Sequence, residues 1–156
     1  MISALDTNVL LDLLIPGAPY AEKSRKLLDT AHRKGSMIIC EVVYAELAGH
    51  FPGAEEFDRF LGDTGIRLVQ SNLPTLQRAA EAWRRYTVSR PRAVVCPHCG
   101  ELNEVNCRSC GTRLTPRQHI LSDFLIGAHA LLQADGLLTR DRGYYSRYFP
   151  GLTVIS

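Results

Sequence analysis

Two acidic residues of this sequence follow apolar segments that are typical of short buried strands. Asp6 comes directly after Ile2–Leu5, and Asp141 comes two residues after Leu138-Thr139. The carboxyl ends of parallel strands meet at one edge of a sheet, which is where α/β proteins place their chemistry. We therefore expect both carboxylates at the same edge. The alternative is that each serves only as the N-cap of the helix that follows it.

Two further carboxylates lie in apolar stretches that predict helices. Glu46 is flanked by valines, alanines and a leucine, and Asp123 lies among isoleucines, leucines and a phenylalanine. A lone carboxylate buried in such a setting costs several kcal/mol or becomes protonated, so a nearby cation is the simpler explanation. Several carboxylates brought together repel one another, and their hard oxygen atoms suit Mg²⁺ or Mn²⁺. The alternative is that both acids lie at the solvent-exposed edge of an amphipathic helix.

Two C-x-x-C-G motifs occupy the segment 93–114. They are Cys96-Pro-His-Cys99-Gly100 and Cys107-Arg-Ser-Cys110-Gly111. The spacing lets both sulfurs of a motif reach one tetrahedral Zn²⁺, and the glycine lets backbone amides fold back toward sulfur. A redox dithiol needs only one such motif, so the second copy favours zinc. Four thiolates close the coordination shell, which predicts a structural zinc ribbon with Cys96, Cys99, Cys107 and Cys110 as ligands.

The remaining cysteine and the histidines indicate no further reactive group. Cys40 is expected to be a buried small residue at the end of a strand. The histidines show no pairing by spacing, so acid–base chemistry between histidines fits less well than carboxylate chemistry. His98 is expected to lie outside the zinc shell, and His32, His50 and His129 are interpreted as structural or surface residues.

The composition fits one ordinary domain in the cytoplasm. The chain has 156 residues, of which 46% are hydrophobic, and this is enough for a core that needs no partner. The first residues lack a basic segment followed by an apolar one, and no apolar run approaches the ~20 residues that span a bilayer. Cysteines in a chain without an export signal favour metal binding over disulfides.

The positive charge of the chain is concentrated around the cysteine motifs. The formal net charge is +2, but the segment 84–117 contains seven arginines and two glutamates. A zinc ion with four thiolates carries about −2, and the segment stays positive after that correction. A polyanionic partner such as a nucleic acid is one explanation, with Arg90, Arg92 and Arg113 as candidate contacts. The other explanation is that these arginines are ordinary solvated surface residues.

Apolar periodicity and turn residues predict alternating strands and helices. Strands are expected at 2–5, 37–40, 66–69, 136–139 and 153–155, and helices at about 7–15, 21–34, 41–48, 53–63, 73–86, 115–134 and 144–148. Thr115, Pro116 and Gln118 resemble an N-cap, an N1 proline and a capping-box residue for the sixth helix. Alternation of this kind predicts the α/β class, with a parallel sheet between helical layers. The ribbon at 93–114 is then an insertion between 1–92 and 115–156.

Four blocks of the sequence resemble, in order, those of PIN domains, and most closely those of VapC-type toxins, the small ribonucleases of toxin–antitoxin pairs. The blocks are Ala4-Leu-Asp-Thr-Asn-Val-Leu-Leu-Asp-Leu-Leu14, Val43-Tyr-Ala-Glu46, Ser122-Asp-Phe-Leu-Ile-Gly-Ala-His-Ala130 and Leu138-Thr-Arg-Asp-Arg-Gly-Tyr144. The segment Phe149-Pro-Gly-Leu-Thr-Val-Ile155 is similar to the last strand of the family. The resemblance therefore covers nearly the whole chain outside the cysteine motifs and implies a PIN-like three-layer domain.

The resemblance also implies roles for particular residues. Asp6, Glu46, Asp123 and Asp141 would form an acidic quartet that binds Mg²⁺ or Mn²⁺, with Thr7, Asn8 and Thr139 as supporting polar residues. A metal-coordinated water would attack the phosphate in line and leave a 5′-phosphate on one product. Many relatives carry another acid or an asparagine where this chain has Gly143, so the sequence leaves one or two metals open.

The expected function is metal-dependent hydrolysis of RNA phosphodiester bonds by an endoribonuclease. The toxin of a type II toxin–antitoxin pair and a processing enzyme are the two forms considered, and an antitoxin protein and a second copy of the chain are the protein partners. One alternative is a non-catalytic module that binds RNA or protein on a PIN scaffold. A DNA nuclease is another, because nothing in the sequence identifies recognition of the 2′-hydroxyl group.

Overall fold

The computed structural model describes residues 1–89, 93–95, 99, 101–114 and 120–156. Its strands are β1 (Ile2–Leu5), β2 (Ser36–Ile39), β3 (Ile66–Leu68), β4 (Val94–Val95), β5 (Leu102–Asn103), β6 (Val105–Asn106), β7 (Arg113–Leu114), β8 (Gly136–Leu138) and β9 (Val154–Ile155). Its helices are α1 (Thr7–Leu14), α2 (Ala21–Lys34), α3 (Glu41–Ala48), α4 (Ala54–Thr64), α5 (Leu73–Ser89), α6 (Leu121–Gln133) and α7 (Arg142–Tyr148). The predicted alternation of strands and helices is confirmed.

A parallel sheet forms the centre of the domain, in the strand order β3-β2-β1-β8-β9. The strand β1 is in the middle, with Ala4 aligned to Ile38 of β2 and to Leu137 of β8. Apart from Ile2 and Ser36 at the starts of β1 and β2, the side chains on these three strands are buried, as expected when helices cover a parallel sheet. The α/β class with a parallel sheet is therefore confirmed, and β1 and β8 end side by side.

An aromatic cluster fixes α6 against α5 and α7. Phe124 is fully buried, and its ring centroid lies 5.3 Å from that of Trp83, 5.4 Å from that of Tyr86 and 5.3 Å from that of Tyr144. Edge-to-face contacts at these distances add to the hydrophobic gain of burying the rings. Phe124 directly follows Asp123, so the cluster also holds the first turn of α6 in place.

The sixth helix begins later than the sequence predicts. Its N-cap is Ile120, which has extended backbone dihedral angles of −114° and 168°, so α6 begins at Leu121. The carboxylate of Asp123 accepts a hydrogen bond from the Ile120 N–H at 3.0 Å. The predicted cap at 115–118 lies outside the described residues. The prediction was wrong because its cap signal was matched by residue type alone, while the first apolar turn starts at Leu121.

Each C-x-x-C-G motif lies between the two strands of a short hairpin. β4 pairs antiparallel with β5, with Val95 opposite Leu102, and β6 pairs antiparallel with β7, with Asn106 opposite Arg113. Each first strand ends directly before the first cysteine of a motif, and in each hairpin the innermost pair is seven positions apart. Each motif thus joins the two strands of its own hairpin, and the two hairpins have the same register.

The turn of the second hairpin has hydrogen bonds at both ends of its motif. The Cys107 N–H donates to the Thr112 carbonyl at 2.8 Å, and the Gly111 N–H donates to the Cys107 carbonyl at 2.9 Å. Gly111 has a φ of 71°, a left-handed conformation that glycine adopts without steric cost. Cys96 and Gly100 of the first motif lie outside the described residues.

Cys40 and His129 have the structural roles that the sequence predicts. Cys40 is buried between β2 and α3, and this burial raises the pKa of its thiol. His129 is buried in α6, and its Nε2 lies 2.8 Å from the Val69 carbonyl, so the ring is a hydrogen-bond donor at this atom. Burial lowers the pKa of His129. In the part of the chain that the structure describes, no helix is long and apolar enough to cross a bilayer.

Candidate active site

Asp6 lies at the carboxyl end of the central strand β1 and is only 6% exposed. Its Oδ2 accepts hydrogen bonds from Thr139 Oγ1 at 2.6 Å, from Asn8 Nδ2 at 2.6 Å and from Tyr145 OH at 3.4 Å. Asp6 occupies the N-cap position of α1, but its side chain makes no capping hydrogen bond. Capping of α1 by the Asp6 side chain therefore does not explain why an aspartate is at this position.

Burial raises the pKa of the Asp6 carboxyl. The Thr139 hydroxyl and the Asn8 backbone N–H act in the opposite direction, and the negative charges of Asp123 and Glu46 raise the pKa further. The other two acids are therefore close enough to repel Asp6. A carboxylate that is desolvated and surrounded by like charges is stabilised by a bound cation.

Glu46 is on α3 and is exposed, so the apolar setting expected from its neighbours is wrong. The next residue, Leu47, is buried, whereas Glu46 lies on the exposed side of the helix. The Thr7 hydroxyl donates a hydrogen bond to Glu46 Oε2 and so connects the first turn of α1 to α3. Thr7, predicted as a supporting polar residue, thus orients one of the four acids.

Asp123 and Asp141 both interact with the backbone at helix starts. Asp123 is half-buried and accepts the Ile120 N–H, as described above. Asp141 is exposed and is the N-cap of α7, where its Oδ1 accepts the Tyr144 N–H at 3.0 Å. The capping role considered for Asp141 is confirmed. Its own N–H donates to Thr139 Oγ1 at 3.0 Å, which links it to the residue that holds Asp6.

The four acids line one open cavity of about 330 Å³ at the carboxyl edge of the sheet. They come from four separate parts of the chain, namely the ends of β1 and β8, the helix α3 and the first turn of α6. The described lining consists of Asp6, Thr7, Asn8, Leu11, Glu46, Asp123, Arg140, Asp141, Tyr144 and Tyr145. We call this space the acidic cavity. Thr139 is not among the described lining residues, but its hydroxyl donates a hydrogen bond to Asp6.

The donor set of the acidic cavity suits a hard divalent cation. All its candidate ligands are carboxylate oxygens, with hydroxyl and amide groups as neighbours. Among the described residues, however, no three histidine, cysteine or acidic side chains are close enough together to form a metal-binding group. Hydrogen bonds engage one oxygen of each acid, and in Asp123 and Asp141 these bonds turn the carboxylate toward its own helix. Rotation of these side chains toward the cavity would be needed for metal ligation.

Three polar residues of the cavity were not predicted from the sequence. Arg140 and Tyr144 belong to the fourth sequence block and Tyr145 directly follows it, but none of the three was a candidate site residue. Burial raises the pKa of Tyr144 and that of Tyr145, so both hydroxyls keep their protons. The helical spacing of Tyr145 from Asp141, four residues, was the available signal that it faces the same side.

Of the predicted arginines and cysteines, the described ones, Arg113, Cys99, Cys107 and Cys110, do not line the acidic cavity. Arg90 and Arg92 lie outside the described residues, as does Cys96. Arg113 forms an ion pair with Glu104 on the second hairpin. Cys99, Cys107 and Cys110 are not in disulfides, and the Thr112 hydroxyl lies 3.3 Å from Cys110 Sγ.

Solved structures with a similar fold include two that are described as VapBC structures. This chain is similar to VapBC2 of Rickettsia felis bound to a promoter DNA fragment, with a TM-score of 0.61, 16% identity and 99% and 98% of the two chains covered. It is also similar to VapBC-1 of nontypeable Haemophilus influenzae, with a TM-score of 0.60, 18% identity and coverage of 100% and 98%. At such low identity these matches show the shared fold.

A third similar structure is VapC20 of Mycobacterium tuberculosis, described as a toxin that cleaves the sarcin–ricin loop. Its TM-score is 0.55, with 13% identity and with 97% and 98% of the two chains covered. Comparison with curated protein sequences gives no significant match. The model of the family described as "PIN domain" matches residues 4–150. Because this match spans most of the chain, the protein belongs to the PIN domain family.

Proposed function

We propose that this protein is an endoribonuclease that uses Mg²⁺ or Mn²⁺ to hydrolyse RNA phosphodiester bonds in the acidic cavity. The observation that carries the proposal is the convergence of four carboxylates from distant parts of the chain on one cavity, with Asp6 buried among them. PIN domains are generally nucleases, and one protein of similar fold is described as cleaving RNA. Both facts support the same chemistry.

The role proposed for the four acids follows from their surroundings. The three donors to Asp6 all bind Oδ2, which leaves Oδ1 as the oxygen with which Asp6 would ligate a metal. Glu46, Asp123 and Asp141 would complete the site by turning toward the cavity. A bound divalent cation supplies a water of lowered pKa and neutralises charge on the phosphate.

The reaction itself is an in-line displacement. A water oxygen bonds to phosphorus, and the bond from phosphorus to the 3′-oxygen breaks. The water loses one proton to solvent, and the leaving 3′-oxygen takes up another. The products are a 3′-hydroxyl and a 5′-phosphate, and the 2′-hydroxyl takes no part.

An antitoxin is the protein partner that we propose for this chain. The similar structures from Rickettsia felis and Haemophilus influenzae are VapBC complexes, and the chain covers nearly all of each matched chain. A toxin role predicts that a partner occupies the acidic cavity or its rim and blocks RNA. A self-associating form of the chain and RNA contacts by Arg90 and Arg92 remain predictions from the sequence.

We also propose that the two hairpins hold a structural Zn²⁺ through Cys96, Cys99, Cys107 and Cys110. The equal register of the hairpins supports this, because it gives each motif the same position relative to its strands. The left-handed Gly111 after Cys110 allows the sharp turn that a C-x-x-C-G knuckle needs. Four thiolates of two such motifs would suit a structural Zn²⁺ with a closed, tetrahedral shell.

Elemental analysis of the purified protein tests the zinc proposal. About one equivalent of zinc is expected, and Cys99→Ser should release it because a thiolate ligand is lost. Cys40→Ser serves as the matched control, since Cys40 is buried in the core and lies outside both motifs, so this substitution should leave the zinc content unchanged. Protein purified without a chelator and free of zinc would overturn the proposal.

A cleavage assay with labelled RNA tests the nuclease proposal. Wild-type protein, freed of any partner, should cut RNA when Mg²⁺ or Mn²⁺ is raised into the millimolar range. Asp123→Asn should reduce the rate by at least about a hundredfold, because it removes ligand charge with almost no change in volume. The control is Asp58→Asn, which changes an exposed carboxylate on α4 and should retain full activity. Equal activity of wild type and Asp123→Asn would exclude the acidic cavity as the site.

A further inference from the structure

Arg140 is a cation at the mouth of the acidic cavity that the proposed chemistry does not yet use. It lies between Thr139 and Asp141 in the loop from β8 to α7, and it lines the same cavity as the four acids. Its backbone N–H donates to Asn8 Oδ1 at 3.2 Å, which fixes the loop to the start of α1. Of the described residues that line the cavity, Arg140 is the single cationic one.

Two contacts hold the Arg140 guanidinium in place. Its Nε lies 3.3 Å from Oδ2 of Asp12, a carboxylate on α1 whose side chain is only 5% exposed. The Ser24 hydroxyl donates to the same Asp12 oxygen at 2.6 Å, so Asp12 is oriented from α2. The guanidinium carbon lies 4.9 Å from the centroid of the Tyr20 ring, within the range of a cation–π contact. Asp12, Ser24 and Tyr20 therefore act together as a clamp on Arg140.

The clamp leaves part of the guanidinium available to a ligand. The ion pair uses Nε, while a guanidinium carries five N–H donors, four of them on the two terminal nitrogens. The Arg140 side chain is 39% exposed, in contrast to the buried acid that holds it. An arginine whose orientation is already fixed loses less conformational entropy when it binds an anion than a free surface arginine does.

The charge of the cavity gives a reason for a fixed arginine at this place. Four carboxylates repel the phosphates of an incoming RNA strand, and a bound metal offsets only part of that charge next to the cleaved bond. A planar guanidinium suits a phosphate because it can form two parallel hydrogen bonds to its oxygens. Arg140 lines the cavity while its guanidinium pairs with Asp12, which is not one of the four acids, so it is available for a phosphate next to the one that is cleaved.

We propose that Arg140 is a substrate-binding residue whose guanidinium, held by Asp12 and Tyr20, binds a phosphate of the RNA backbone at the mouth of the acidic cavity. This proposal rests on the proposed nuclease function, since it assigns the same site a second contact with the same substrate. The competing explanation is that the Asp12–Arg140 pair only ties the loop to α1. That explanation predicts a loss of stability on substitution without any change in RNA binding.

Binding of a fluorescent single-stranded RNA, measured by anisotropy, separates the two explanations. We would use Asp123→Asn as the background, so that no RNA is cut, and vary NaCl at a fixed, low Mg²⁺ concentration. Adding Arg140→Gln should weaken binding on the order of tenfold, as expected for a charge-assisted contact. It should also reduce the slope of log affinity against log salt by about 0.7, the value for one phosphate contact on a single strand.

Arg147→Gln is the matched control. Arg147 is an exposed arginine on the adjacent helix α7, and its guanidinium lies 5.5 Å from the centroid of the neighbouring Tyr148 ring. The Arg147→Gln substitution should leave both the RNA affinity and the salt slope unchanged. Arg140→Lys keeps the charge without the planar fork, so it should preserve the slope while losing part of the affinity. This second variant keeps the test valid if Arg140→Gln folds poorly.

Asp12→Asn tests the clamp. It should weaken RNA binding when Arg140 is present and have no further effect in the Arg140→Gln protein, because Asp12 acts through Arg140. Thermal unfolding of every variant reports stability separately. A lower melting temperature with unchanged affinity and salt slope for Arg140→Gln would overturn the proposal and leave a structural ion pair.

A parallel cleavage assay distinguishes failure of this proposal from failure of the nuclease function. If wild type cuts RNA and Arg140→Gln raises KM on the order of tenfold with little change in kcat, both proposals stand. If wild type cuts RNA and Arg140→Gln changes neither KM nor the salt slope, only the Arg140 proposal fails. If wild type does not cut RNA, the anisotropy slope still decides whether Arg140 binds a phosphate.

Discussion

Asp6 is the residue at which stability and the proposed function are in conflict. It is nearly inaccessible to solvent and is close enough to Asp123 and Glu46 to be repelled by their charges. Three donors converge on one of its oxygens, yet the net effect of the surroundings is a raised pKa. Burial is the largest cause of the raised pKa, and the charges of Asp123 and Glu46 add to it. A bound cation would stabilise a carboxylate in such surroundings.

Asp6→Asn should therefore stabilise the metal-free protein at neutral pH. The folded-state pKa of Asp6 lies above its unfolded value, so the folded state binds more protons between those two values. Wild-type stability then falls as the pH rises through this window and stays at the lower level above it. Asparagine does not titrate, so its melting temperature should exceed that of wild type by a few degrees at pH 7 and converge with it below about pH 4.

Thermal unfolding across pH checks this prediction, with Asp58→Asn as the control at an exposed site. Millimolar Mn²⁺ should reverse the order at neutral pH, because wild type gains binding energy that the asparagine variant lacks. A wild type that is more stable than Asp6→Asn at neutral pH without metal would show that Asp6 has a structural role.

At the scale of elements, α6 positions Asp123 through close packing on its buried face. Gly127 lies one turn after Asp123, and a Cβ at this position would lie 2.3 Å from Cε2 of the buried Phe149 ring. Alanine is the better helix former by about 1 kcal/mol, so propensity and packing act in opposite directions here. Packing dominates, because the ring is enclosed and an overpacked core costs about 1–3 kcal/mol.

Gly127→Ala should lower the free energy of unfolding by about 1–2 kcal/mol, measured by urea denaturation. Gly62→Ala is the matched control, since Gly62 is in the exposed part of α4 and a Cβ there meets no atom within 4 Å. That variant should gain up to about 1 kcal/mol from helix propensity. Stabilisation by both substitutions would mean that Phe149 can move aside and that α6 is held less firmly than its contacts indicate.

The sequence predicted most elements because local signals agreed with the fold. α2 and α3 have the predicted ends, since apolar periodicity, Gly35 after α2 and the turn before α3 all indicate the same boundaries. The start of α6 was missed because an N-cap pattern at Thr115 was given more weight than the first apolar turn. Local cap motifs are compatible with several starts, and tertiary packing of Phe124 selects Leu121.

The four acids could be predicted, while their environments could not. The strand ends indicated that Asp6 and Asp141 lie at one edge, and the resemblance to PIN domains added Glu46 and Asp123. The exposure of Glu46 depends on which side of α3 meets the sheet, and the sequence of this largely apolar helix does not settle that. The Arg140 clamp depends on contacts with Asp12 and Tyr20 across more than a hundred residues, which periodicity does not report.

At the scale of the whole molecule, the sheet brings distant segments to one edge. β1 and β8 are adjacent although they are more than a hundred residues apart in the chain, so their ends place Asp6 and Asp141 at one site. The segment with the two hairpins is inserted between α5 and α6, and α6 begins near the acidic cavity. Zinc would stabilise this insertion without contributing to the core of the sheet.

The chemical identity of the RNA ends tests the central claim most directly. A single RNA should be incubated with the partner-free protein and Mn²⁺, and its fragments analysed by mass spectrometry. Attack by water predicts a 5′-phosphate and a 3′-hydroxyl at each cut, and a 2′-O-methyl group at the cleaved position should still allow the reaction. The same ends should disappear with Asp123→Asn. A 2′,3′-cyclic phosphate, or cutting that persists in excess chelator, would contradict metal-dependent hydrolysis in the acidic cavity.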